Sequence, residues 1–115
     1  MAKLHTAVET KDIVDALLKQ GLTQQTIAAA TGASDRSVRN WLKHSGILGI
    51  YEERLRELQD VVLVLADVMT PKGVDQWLRA KHRLLGGERA ADALAAGRAA
   101  AVLDAARAYA EGVYL

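Results

Sequence analysis

A chain of 115 residues has room for one compact unit, or for two very small ones sharing a core. Half of it is apolar, with no phenylalanine, one proline and no cysteine. Alanine and leucine dominate the apolar set, which favours packed helices over sheets, and the missing thiols exclude disulfides, thiolate metal sites and cysteine nucleophiles. The net charge of +1 is unevenly spread, with six Lys/Arg against four Asp/Glu in residues 1–48 and nine against ten in the remainder. So weak a bias gives a monomer little nonspecific hold on DNA, and two copies would be needed to bind it.

The opening residues lack the apolar core and small-residue cleavage site of a signal peptide. The longest purely apolar run, Val61 to Ala66, is far too short to span a bilayer. A soluble, cytoplasmic chain is expected.

In chain order, the periodicity predicts a first helix from Thr10 to Gln20 with Ile13, Val14 and Leu17 inward, stopping at Gly21. Thr23 reads as an N-cap, because its hydroxyl can accept from the otherwise unpaired amides of the next turn. A short second helix, Gln24 to Thr31, ends at Gly32. Ser34 caps a third, Asp35 to Lys43, whose Asp35 complements the positive end of the helix dipole. Residues 45–49 form the joint between a unit spanning 1–48 and a second spanning 49–115. Glu52 to Met69 reads as a long helix, with Leu55, Leu58, Val62, Leu65 and Met69 at three-four spacing. Its second half is apolar almost all round, so it must be covered from more than one side, by this chain or by a second copy. Thr70-Pro71 restarts a helix running to Arg79, with proline where its missing amide costs nothing. Residues 83–87 are expected as a short connection, 88–96 as a helix closed by Gly97, and 98–111 as a last helix with Val102, Leu103, Ala106 and Tyr109 or Ala110 on one face. The fold class is all-α: a helix-turn-helix bundle followed by a small helical domain.

The segment from Leu22 to Leu42 resembles the phage-repressor-like (Xre/Cro) helix-turn-helix, and each part of the pattern has a mechanical reason. Ala28 is small where two helices cross, and Gly32 supplies a tight turn that a Cβ would crowd. Ile27, Val38 and Trp41 fix the third helix against the second, so that it can enter a major groove while the second crosses the backbone. The groove-facing positions are then Ser34, Asp35, Arg36, Ser37, Arg39 and Asn40. Arg36 or Arg39 could pair bidentately with guanine, and Asn40 with adenine. Gln24, Lys43 and Thr23 would sit near phosphates and set register. The plainer alternative is that Thr23 and Ser34 are only caps and the charges only a solvated face. Asp35 counts against a surface that simply hugs phosphate.

Residues 50–115 are apolar, helical and too poor in charge for a second nucleic-acid site, so a protein-binding surface is their natural use. Trp77, Arg83-Leu-Leu-Gly, Ala91-Asp92-Ala-Leu94, Gly97, Val102 and the ending Ala110-Glu-Gly-Val-Tyr-Leu115 resemble, in that order, the Xre/MbcA/ParS antitoxins. With the helix-turn-helix, the resemblance covers Thr10 to the last residue. It departs at Lys81-His82, where the family often has Pro-Asn, and at Ala90, where it often has proline. The resemblance implies a partner, a RES-domain toxin that consumes NAD, whose active-site entrance the C-terminal domain covers. The matching terminal residues are Glu111, Gly112, Val113, Tyr114 and Leu115, with Arg83 as a further contact. The alternative is that Val113 and Tyr114 fold back on this chain's own core. Trp77, Leu84, Leu85 and Gly97 are expected to be structural, and Arg79, Lys81, His82 and Arg83 to be a solvated helix end.

The three histidines are scattered without ligand spacing, so no metal is expected. There is no phosphate loop or nucleophile elbow, and neither a cofactor nor an enzymatic activity is expected. The leading expectation is an antitoxin that binds a RES-like toxin, binds operator DNA to regulate its own operon, and forms a homodimer or larger assembly. The alternative is a stand-alone regulator whose C-terminal half only dimerises.

Overall fold

The computed structural model describes residues 10–43 and 49–112. Within them lie seven helices: α1 (Thr10–Lys19), α2 (Gln24–Thr31), α3 (Asp35–Lys43), α4 (Gly49–Ala66), α5 (Pro71–Arg79), α6 (Ala90–Ala95) and α7 (Ala99–Ala110). Two short strands, β1 (Lys81–His82) and β2 (Glu88–Arg89), lie between α5 and α6 and pair antiparallel around a single 3₁₀ turn, Arg83–Leu85. The chain is therefore helical, as its composition predicts, with one small hairpin that the alanine-rich pattern conceals.

Helix boundaries follow local chemistry. The Thr23 hydroxyl accepts from the Thr26 amide at 3.1 Å, and the Thr70 hydroxyl from Gly73 at 3.1 Å, satisfying donors that no turn of helix can reach. Pro71 sits at the start of α5. Gly32 ends α2 with φ +78°, a left-handed conformation that a Cβ disfavours. Three expected boundaries shift, the first being that the long helix begins at Gly49 and not at Glu52. Residues 88 and 89 belong to β2 and not to the following helix, because they pair with His82 and Lys81. The long helix ends at Ala66, and Met69 lies beyond it.

Ile13, Val14 and Leu17 of α1, Ile27 and Ala30 of α2, and Val38 of α3 are buried in one cluster with Leu55, Leu58, Val61, Val62 and Leu65 of α4 and with Leu78, Leu94, Val102 and Ala106. α4 is the spine. It packs against α1 and α2 on one side and α7 on another, which covers most of the apolar girth seen in its sequence. Leu63 and Val68 remain exposed. α6 lies against α2; Ala28 and Ala30 of α2 and Ala90, Ala91 and Ala93 of α6 are all buried, and side chains this small let helices approach closely. The core thus runs without a break between residues 1–48 and 49–115. Each large aliphatic side chain it buries contributes about 1.5–3 kcal/mol.

A third tie is polar. Asp75 of α5 is 4% exposed. Its Oδ1 accepts the Thr23 amide at 3.0 Å and its Oδ2 accepts Arg79 Nε at 2.9 Å. Beside it, Pro71 packs on Gly21, where a Cβ would fall 2.5 Å from the proline Cβ. The turn into α2 is therefore seated on α5.

Candidate functional site

α3 is held from behind. Val38 is buried, and Trp41 is 7% exposed with its ring 5.4 Å from that of Tyr51 on α4. The helix packs mainly on α1 and α2. Its outer face carries Arg36, Arg39, Asn40 and Lys43, all exposed. Among the described residues none of these three cations forms an ion pair, whereas Lys19, Arg54, Arg56, Arg79 and Arg98 all do. Asp35 is half-buried in the first turn.

Three other residues expected on this face are engaged locally. The Ser34 hydroxyl donates to Ser37 Oγ at 3.1 Å and accepts the Ser37 amide at 3.1 Å. Thr23 is committed on both sides: its hydroxyl accepts from Thr26 N–H and donates to Thr26 Oγ1, and its amide is taken by Asp75. Gln24 is half-buried on the first turn of α2.

A second exposed region lies at the end of α7. Tyr109 shares a groove of about 310 Å³ with Met69, Gly73, Gln76, Trp77, Ala80 and His82. The 3₁₀ turn holding Arg83 packs on α7. Glu111 and Gly112 are exposed directly after that helix. Arg83 and the pair Glu111–Gly112 are thus carried by elements that adjoin α7. Val113, Tyr114 and Leu115 lie outside the described residues.

Two expectations about this region are corrected. Leu84 is 46% exposed and no part of the core, while Leu85 and Trp77 are buried. Lys81, His82 and Arg83 form a hairpin arm and its turn, and do not continue a helix end. Asp75 was not legible as a structural residue, since nothing near it in sequence points to a partner at Thr23.

Among the described residues no group of three or more His, Asp or Glu is placed to hold a metal ion. No helix among them is long and apolar enough to cross a membrane.

No protein-family model matches the chain. Individual relatives do. It is 46% identical over 112 residues, 97% of this chain and 96% of the relative, to the "Probable mycobacterial cidal antitoxin Rv3188" of Mycobacterium tuberculosis. It is 32% identical over 101 residues to the mycobacterial cidal antitoxin MbcA of Mycobacterium bovis, covering 87% of this chain and 89% of that one. Its fold matches a chain in the crystal structure of the M. tuberculosis MbcT–MbcA toxin–antitoxin complex, with a TM-score of 0.75 and 30% identity, over 91% of this chain and 96% of that one. Likeness in sequence and in fold runs through α1–α3 as well as the C-terminal helices, and the chain belongs to the MbcA family of antitoxins.

Proposed function

We propose that this antitoxin binds a RES-domain toxin through Arg83, Glu111, Gly112 and the terminal residues Val113, Tyr114 and Leu115, keeping NAD from the toxin's active site. On this reading it also represses its own operon as a cytoplasmic homodimer or larger toxin–antitoxin assembly, contacting operator DNA through Arg36, Arg39, Asn40 and Lys43. The observation that carries the toxin reading is the likeness over nearly the whole chain to antitoxins, one of which was solved in a toxin complex. The operator reading is supported by the exposed cations of α3, which have no carboxylate partner among the described residues although several other cations there are paired.

The remaining residues on this face take supporting roles in this reading. Ser34 and Ser37 hold the start of α3, so they set its angle and leave base readout to the arginines and Asn40. Thr23 and Gln24 stand where the second helix of such a motif crosses the backbone. Asp35 disfavours phosphate at the helix start and suits a cytosine amino group.

Co-expression with the product of the neighbouring gene tests both parts. Growth and cellular NAD should be preserved with the intact chain and lost when Gly112 to Leu115 are deleted, while operator shifts persist. Replacing Arg36 and Arg39 by alanine should do the reverse, each arginine being worth about 1–3 kcal/mol of operator affinity. A neighbour that is harmless alone overturns the toxin reading, and a double variant that shifts the operator normally overturns the assignment of the reading face.

A further inference from the structure

The hairpin between α5 and α6 breaks a rule of sheet pairing. Lys81 stands directly opposite Arg89. Because the Ala90 amide closes on the Ala80 carbonyl at 3.3 Å, this rung is the non-hydrogen-bonded one, where opposed side chains approach most closely. Like charges facing each other there destabilise a pair of strands. Arg83 adds a third cation in the turn, and all three are exposed. The one acid of the hairpin, Glu88, does not neutralise them: it is paired with Arg98 from outside the hairpin. Among the described residues no carboxylate forms an ion pair with Lys81, Arg83 or Arg89.

The hairpin is nonetheless tightly anchored. Leu85 is 8% exposed, and the 3₁₀ turn that holds it packs on α7. The His82 ring lies 4.3 Å from that of Trp77, and its Nε2–H donates to the Trp77 carbonyl at 2.7 Å. At the apex of this rigid support Leu84 is left 46% exposed, beside Arg83. An uncompensated set of cations around an apolar tip, displayed on a fixed base, is the pattern of a surface completed by another molecule.

We propose that the 81–89 hairpin as a whole docks on the toxin in addition to the C-terminal tail, extending the single contact given to Arg83 above, and that it fits an acid-lined depression on that protein: carboxylates meet Lys81, Arg83 and Arg89 while Leu84 fills the apolar floor. This rests on the toxin reading above. Charge complementarity calls for an acidic surface, and the apolar tip favours a protein over a phosphate backbone, which offers Leu84 nothing to bury against.

Lys81→Glu separates recognition from folding, because the two effects run in opposite directions. The introduced carboxylate would face Arg89 as an opposite charge, so thermal stability should hold or rise. Affinity for the purified neighbouring-gene product, measured by calorimetric titration, should fall about tenfold and lose part of its dependence on salt. Leu84→Ser should also weaken binding with the melting temperature unchanged. If Lys81→Glu and Leu84→Ser both bind as the intact chain does, the hairpin is no docking element. Retained toxin binding with a lost operator shift would likewise overturn the proposal, in favour of nucleic acid. An intact chain that binds no neighbour overturns the toxin reading itself, and the two failures are thereby distinguished.

Discussion

Thr23 and Asp75 are 52 positions apart, yet the buried carboxylate holds the amide that opens α2. Removing it leaves that amide without its acceptor and Arg79 without its partner. Asp75→Ala should cost about 1–3 kcal/mol in urea unfolding, and Asp75→Asn less, since an amide oxygen still accepts. The neighbouring Gly21 is constrained twice over, by φ +106° and by the Pro71 side chain. Gly21→Ala must therefore both strain the backbone and displace α5, and should lower stability by at least about 1–2 kcal/mol in the same assay. A full-stability Gly21→Ala variant would mean that the turn into α2 is not seated on α5. The caps at Thr23, Ser34 and Thr70 were readable because donor and acceptor lie within one turn of each other. The Asp75 contact was not, because its partner is supplied by the fold.

At the scale of elements, α2 and α6 meet through alanines. Ala30 of α2 and Ala90 and Ala93 of α6 are each 1% exposed or less, so none of these positions has open space for a larger side chain. Ala93→Leu should therefore overpack the seam and destabilise by about 1–3 kcal/mol, although leucine is nearly as good a helix former as alanine. Ala100→Leu, at an exposed position of α7, is the matched control and should leave the melting temperature almost unchanged. Helix positions were largely legible in advance, because Gly, Pro and Thr punctuate the apolar periodicity at 21, 23, 32, 70 and 71. The hairpin was not, because two-residue strands are too short to show an alternation, and only pairing across the Arg83–Leu85 turn defines them. Leu84 and Leu85 illustrate the same limit: adjacent and identical, one is exposed and the other buried.

Over the whole molecule, α4 is shared between α1–α3 and the C-terminal helices, and α2 is buttressed by α5 and α6. A cut at residue 48 would therefore expose Ile13, Leu17 and Ile27 on one fragment and Leu55, Leu58 and Leu94 on the other. Neither 1–48 nor 49–115 should fold alone. The full chain should unfold in one transition, with circular dichroism and tryptophan fluorescence superimposing, since Trp41 and Trp77 report from the two halves. Separate transitions for the two probes would show the halves to be energetically independent. Within this shared core α5 contacts the start of α2 on one side and lines the Trp77–Tyr109 groove on the other.

Local interactions carry their own signature, so the amino-acid order alone determined the helices, their caps, the tight turn at Gly32 and the likeness to a family of antitoxins. Long-range packing carries none. Which apolar side chains stay in water, that a carboxylate on α5 would hold the start of α2, and that three cations and a leucine would be raised together on a hairpin were decided only when the helices closed around α4. Those outcomes depend on which surfaces meet in space, and no window along the chain contains that information.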